Sequence, residues 1–231
     1  MVDGAREVII GLRDHLGMVG FISGRGIEDL RRIVDIPGCA YAGNHGFELQ
    51  FPDRPATTAE AALPWLGAIT QFAEHWDAEL LAQAGLQVEP KGATLSIHWR
   101  TAPDPDAAHA VLVDQFVPQA RAQGLVATWG RMVLEVRPPV AINKGTAVSE
   151  LLHGGPWRHA VYVGDDLTDA DAWRALHALR DSGALTTGLA IVATGPETPK
   201  ELTMAADASV LGPAGVLELL IRLSRSMATI A

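Results

Sequence analysis

The chain has 231 residues, 48% hydrophobic and 19% charged, the composition of a globular protein able to bury a sizeable core. Its net charge of −9 argues against a nucleic-acid partner, and no apolar run reaches the ~18 residues that span a bilayer, so no membrane partner is expected either. A single cysteine, Cys39, excludes an intramolecular disulfide framework, and the N-terminus does not read as a signal peptide; both point to a cytoplasmic setting.

Residues 4–16 carry apolar side chains at helical spacing (Val8, Leu12, Leu16), and a short buried strand, 18–22, follows. It breaks at Ser23-Gly24, and "IEDLRRIV" reads as a helix with its acids first and its arginines later, as the helix dipole favours. "CAYAGNHGFELQF" reads as strand interrupted by glycines, and the prolines at 52 and 55 mark a boundary. Beyond them a long helical pattern is expected over 57–84. "ATLSIHWR" alternates strictly, a helix is expected over 105–123, and "LVATWGRMVLEVR" reads as a hairpin turning near Gly130. From Ala141 onward, helices alternate with the buried strands "HAVYVG", "GLAIVAT" and "ASVLG", the pattern of a parallel α/β sheet. The expected architecture is a discontinuous α/β core, 1–52 and 140–231, with an inserted α+β domain, 53–139.

Two strand ends carry reactive residue types, and open α/β sheets bind ligands at such ends. After "HAVYVG" come Asp165 and Asp166, then Asp169 and Asp171. Helix capping would account for Thr168 or Asp169 but not for two acids directly after the strand, where adjacent carboxylates repel unless a hard cation such as Mg²⁺ binds. Ser23 at the other strand end would either cap the next helix or hold a phosphate. Lys144 opens a helix, where a cation is mildly unfavourable unless an anion accompanies it; a solvated lysine is the alternative. In the inserted domain His98, Arg100, Glu135 and Arg137 fall on polar strand faces by alternation. There they would either pair across strands or make charge-assisted bonds to a ligand.

"ISGR", "NKG" and "GDDLTD", in that order, resemble three motifs of the haloacid dehalogenase-like phosphohydrolases. "AGNHGFE", "LSIHWR", "LEVRPPVAINKG" and "YVGDDLTDADAW" resemble the trehalose-6-phosphate phosphatases over residues 4–223, with Ala170 and Trp173 departing from the usual Glu and Phe. The resemblance implies a Rossmann-like parallel core with a cap over the sugar, and Mg²⁺-dependent hydrolysis of trehalose 6-phosphate. It implies that Asp165 ligates Mg²⁺, that Asp166 and Asp169 orient the metal waters and Lys144, and that Ser23 and Lys144 hold the phosphoryl group. It further places Arg25, Asn44, His45, Gly46, Glu48, Lys91, His98, Arg100, Glu135 and Arg137 near the substrate.

The family's first strand ends in Asp-x-Asp-Gly-Thr, which supplies nucleophile and acid. No such motif occurs in this sequence; Asp3 in "VDG" reads as the end of a linker or a helix cap. The expectation is a full phosphatase whose start site is set too far downstream, so that the chain as given lacks the nucleophile and is inactive. Two alternatives stand beside it. One is a shortened chain that binds sugar phosphate without turnover, as a regulator or a subunit of a trehalose-making complex. The other is a related phosphatase for a different sugar phosphate. In the family the missing strand is central, so its neighbours here should either keep unpaired edges or pair with each other.

Overall fold

The computed structural model describes residues 2–196 and 198–228. The chain forms two compact units, one built from residues 1–57 and 142–231 and the other from 58–141. The division falls a few residues beyond the prolines at 52 and 55.

The first unit opens with α1 (Ala5–His15), whose N-cap is Gly4 at φ 80° with Asp3 exposed before it. β1 (Gly20–Ile22) follows, then α2 (Ile27–Val34), β2 (Ala40–Gly43), a 3₁₀ turn (Asn44–Gly46) and β3 (Glu48–Gln50). β1 pairs with β2 in parallel, and β2 with β3 antiparallel, Tyr41 opposite Gln50 and Gly43 opposite Glu48. The two faces of β2 go to different partners, as strand alternation requires. Tyr41 packs with Ile9 of α1 and with Leu30 and Val34 of α2, while Ala40 and Ala42 face α7 (Lys144–Leu152) through Ala147 and Leu151.

Beyond α7 the unit continues as β9 (His159–Gly164), α8 (Asp169–Asp181), β10 (Thr187–Thr194), α9 (Lys200–Ala205), β11 (Ala208–Leu211) and α10 (Gly212–Ala228). Its sheet runs in the order β11-β10-β9, all parallel. This is the mixed α/β class with parallel sheets that the alternating pattern predicts. Ile22 belongs to both apolar clusters that flank α7, and the helix thereby ties the two sheets together. No strand ladder joins β1 to β9 among the described residues. Each of these two strands thus keeps an edge with no strand beside it among the described residues, and Val161 on the β9 edge is 53% exposed.

The second unit begins at Thr58, the last residue of β4 (Thr57–Thr58), and the helical stretch expected over 57–84 is broken. A 3₁₀ segment (Glu60–Trp65) holds Pro64, α3 spans Leu66–Glu74, and α4 (Ala78–Ala84) restarts where the Asp77 carboxylate accepts from Glu79 N. Proline cannot donate in a helix interior and an aspartate cap starts a new helix, so one period becomes three pieces. β5 (Gln87–Pro90), not expected from the sequence, and β6 (Leu95–His98) come next. The helix over 105–122 is α5 (Pro105–Val111), a π turn (Leu112–Phe116) and α6 (Val117–Ala122). β7 (Val126–Gly130) and β8 (Val133–Arg137) close an antiparallel sheet in the order β5-β6-β8-β7. The hairpin turns at Met132, whose φ is 61°. Leu95, Ile97, Leu134 and Val136 line the apolar face against Phe72, Leu112 and Phe116.

Candidate functional site

Ser23 follows β1 directly, and its backbone N–H donates to Ala42 O at 2.9 Å, extending the ladder by one residue. Its hydroxyl accepts from Arg25 N at 3.2 Å, so it shapes its own turn and does not cap α2. The N-cap of α2 is Gly26, and the N–H of Ile27 donates to Glu48 Oε2 at 2.7 Å. Glu48, a substrate candidate by resemblance, is thus a carboxylate on a helix N-terminus, where the dipole favours it. The loop after β2 is laced to the Ser23 turn: His45 N donates to Ser23 O at 2.9 Å and Asn44 N to Arg25 O at 2.7 Å. Asn44, His45 and Gly46 have φ of 52°, 58° and 107°, three left-handed residues in succession. The His45 ring lies on Gly24, where a Cβ would come 2.6 Å from Nε2, so any larger residue there would push the imidazole aside. Gly46 reaches the start of α7, since a Cβ there would stand 3.0 Å from Asn143 O. The Arg25 side chain is exposed.

Asn143 closes a capping box on α7: its Oδ1 accepts from Gly145 N and Thr146 N at 2.9 and 3.0 Å, and Asn143 N donates to Thr146 Oγ1 at 3.0 Å. Lys144 comes next and is only 7% exposed. Its anionic partner lies within the chain: Nζ donates to Asp169 Oδ1 at 2.6 Å. Asp169 is 3% exposed. The Tyr162 hydroxyl donates to the same Oδ1 at 2.8 Å, and the amides of Asp165 and Asp166 donate to Oδ2 at 2.9 Å each. Burial works to raise the Asp169 carboxyl, but Lys144, the Asp166 amide and the Tyr162 hydroxyl outweigh it and hold the group below the usual carboxylate range. Burial first, then the Asp169 charge, pushes the Tyr162 phenol far above its ordinary value, so it stays a donor. Gly164 has no room for a side chain, because a Cβ would overlap the Asp169 carboxylate.

The four acids of "GDDLTDAD" therefore divide by role. Asp169 is neutralised by Lys144 and does not act as a forward helix cap; Asp171 pairs with Arg174. Thr168 is the N-cap of α8, yet its side chain makes no capping bond. Asp165 and Asp166 are exposed, and their carboxylates make no hydrogen bond or ion pair among the described residues. Two free carboxylates are a hard-oxygen donor set that fits Mg²⁺, an ion that takes one or two carboxylates and fills its remaining positions with phosphate and water. No cluster of three or more metal-ligating side chains occurs among the described residues, so any such ion depends on those outside ligands.

In the second unit the register sets Glu89, Ser96, Glu135 and Thr128 in one row across the polar face of the sheet. Ser96 Oγ donates to Glu135 Oε1 at 2.8 Å, and His98 Nε2 lies 2.9 Å from Glu89 Oε2. Lys91 Nζ sits between the carboxylates, 3.6 Å from Glu89 and 4.0 Å from Glu135. Arg137 ends β8, opposite Val126. The alternation holds through His98, but Arg100 falls in the following turn, where it donates to Arg131 O at 3.4 Å. Glu89, Ser96 and Tyr162 were not among the sequence candidates. Glu89 is two residues from Lys91 in a strand too short to stand out, and Tyr162 lies inside the quoted "YVGDDLTD" motif.

The family model for trehalose-phosphatase matches residues 2–201. The chain belongs to the trehalose-phosphatase family. Trehalose-phosphate phosphatase of Mycobacterium marinum is 32% identical over 217 residues, covering 92% of this chain and 53% of the relative. An uncharacterised glycosyl hydrolase of Mycobacterium tuberculosis is 36% identical over 187 residues, 76% of this chain but 14% of that protein. This trehalose-phosphatase family member thus spans about half the length of the curated phosphatase it matches, and far less of the hydrolase. Among solved structures, a trehalose-6-phosphate phosphatase related protein superposes with a TM-score of 0.76 at 20% identity, covering 100% of this chain and 90% of that one. The C-terminal domain of a trehalose-6-phosphate phosphatase of Candida albicans gives 0.66 at 23% identity, over 97% of this chain and 87% of that one. The C-terminal domain of a Candida albicans trehalose synthase regulatory protein gives 0.65 at 15% identity, over 94% and 86%. At these identities the structural likeness shows the fold alone, a haloacid dehalogenase-like α/β arrangement.

Proposed function

We propose that the chain binds trehalose 6-phosphate together with Mg²⁺, as part of the Mg²⁺-dependent hydrolysis of that ester to trehalose and phosphate in the cytoplasm. The observation that carries this reading is the buried Lys144–Asp169 pair beside two carboxylates left free. Lys144 keeps two N–H groups for a phosphoryl oxygen after donating one to Asp169, and the Ser23 hydroxyl lies at the companion strand end. Asp165 would hold the metal, with Asp166 orienting its waters and Asp169 orienting Lys144. When bound, Mg²⁺ neutralises charge on the phosphoryl oxygens. Arg25, Asn44, His45, Gly46 and Glu48 on the core loops, and Lys91, His98, Arg100, Glu135 and Arg137 on the cap unit, would contact the sugar phosphate.

Turnover additionally requires a carboxylate nucleophile, and these 231 residues hold no Asp-x-Asp-Gly-Thr motif. The chain alone therefore binds without hydrolysing, which is also how a regulator or subunit of a trehalose-making complex would behave. Calorimetric titration with trehalose 6-phosphate, trehalose and glucose 6-phosphate, in Mg²⁺ and in EDTA, tests this while phosphate release is followed. Binding of trehalose 6-phosphate that needs Mg²⁺ and weakens in Asp165→Ala is expected, without release. No binding would sink the reading; Mg²⁺-dependent release would mean that a carboxylate of this chain serves as nucleophile.

A further inference from the structure

Tyr162 stands on β9 with its ring among core side chains, including Val148, Leu176 and Trp173, a task that a phenylalanine would perform equally well. Its hydroxyl is the unexplained part. It donates to Asp169 Oδ1 at 2.8 Å, the oxygen that also receives Lys144 Nζ at 2.6 Å. Two amides occupy Oδ2. A carboxylate offers about four acceptor directions, so all are filled. Asp169 is then fixed in rotation and has no lone pair left to give a metal. Without the hydroxyl, Oδ1 would face Lys144 alone. A lysine ammonium is a point charge on a flexible stem and follows its partner through a range of positions.

We propose that Tyr162 is a positioning residue: its hydroxyl fixes Asp169 Oδ1, and Asp169 in turn fixes Lys144 Nζ at one place for a phosphoryl oxygen. The proposal rests on the reading of Lys144 as a phosphate contact, and its effect is transmitted through Asp169 without Tyr162 touching the ligand.

The experiment is side-chain ¹H–¹⁵N spectroscopy of the Lys144 ammonium in the full chain, with inorganic phosphate plus Mg²⁺ titrated in parallel. Tyr162→Phe should broaden or abolish the ordered Lys144 signal and weaken phosphate binding about two- to tenfold, the worth of one hydrogen bond. Tyr41→Phe is the control: the Tyr41 hydroxyl donates to Ile36 O at 2.8 Å, a comparable buried bond in the α1–α2 cluster, to which Lys144 does not belong. That variant should leave both readouts unchanged. A Lys144 signal unaltered in Tyr162→Phe, or altered equally in Tyr41→Phe, would overturn the proposal. The unsubstituted chain supplies a measurement that needs no variant: a slowly exchanging Tyr162 hydroxyl proton with a nuclear Overhauser contact to the Lys144 ammonium. Absence of that contact overturns the proposal as well. If the unsubstituted chain binds no phosphate, the functional reading fails, and the Lys144 signal still decides the role of Tyr162.

Discussion

Replacing Lys144 by methionine keeps most of the buried stem and removes only the charge. Lys144 and Asp169 side chains are 8% and 4% exposed, so the carboxylate left behind cannot be resolvated without opening the strand-end cluster. Removing one partner of a buried pair costs about 3–5 kcal/mol. Asp169 keeps three other donors, the Tyr162 hydroxyl and the Asp165 and Asp166 amides, which places the expected loss near the lower end, about 3 kcal/mol. For a domain of this size that is a fall in Tm of roughly 6–12 °C. The assay is a double-mutant cycle of Lys144→Met, Asp169→Asn and the pair, followed by urea unfolding of the transition belonging to the first unit. A coupling energy of about 2 kcal/mol is expected. The penalty of Lys144→Met should also shrink as the pH falls, because without Lys144 the buried Asp169 carboxyl protonates at a higher pH than in the unsubstituted chain. A loss below about 0.5 kcal/mol, or coupling near zero, would refute the argument that this pair is buried and mutually dependent.

Gly164→Ala places a methyl group on the Asp169 carboxylate and should cost about 1–3 kcal/mol by overpacking while disturbing the Lys144 ammonium signal; a neutral substitution would show that the strand end yields freely. Acidification gives a signed expectation. Asp169 is held below its ordinary value in the folded chain, so its contribution is complete above the unfolded value near pH 4 and is lost as the pH falls toward the folded one. Thermal scans from pH 7 to 3 should show a declining Tm, with part of the decline missing in Asp169→Asn; a rising Tm would contradict the geometry. In the second unit Phe116 is fully buried and stacks on Trp76 with ring centroids 3.6 Å apart. Phe116→Ala should cost that unit about 3–5 kcal/mol, read by tryptophan fluorescence, while leaving the Lys144 ammonium signal of the first unit in place.

The alternation of helices and buried strands after Ala141 was legible because each strand is a continuous apolar run and each helix an amphipathic one. Lys144 was legible as a residue in want of an anion, since a cation at a helix start is locally unfavourable. Which anion it takes was not, because Asp169 is 25 residues away and meets it only when α7 packs on α8. The same distance in sequence hid the role of Glu48, whose carboxylate reaches a helix start 21 residues earlier. Periodicity misread 57–84 as one helix because apolar spacing continues through Pro64 and Asp77, whereas hydrogen-bond donors and caps decide where helices stop. β5 escaped notice because four residues ending in proline carry too little alternation to register as a strand.

The open edges of β1 and β9 bear on how the protein behaves at high concentration. Among the described residues no strand pairs with either edge, and neither Gly20–Ile22 nor His159–Gly164 contains a lysine, a glutamate or a proline to discourage another strand from adding there. Protection against strand exchange between molecules then falls to the net charge of −9, a repulsion that salt screens over about 8 Å at physiological ionic strength. The chain's colloidal stability should accordingly depend on ionic strength far more than its folding does, with light scattering expected to rise as salt is added.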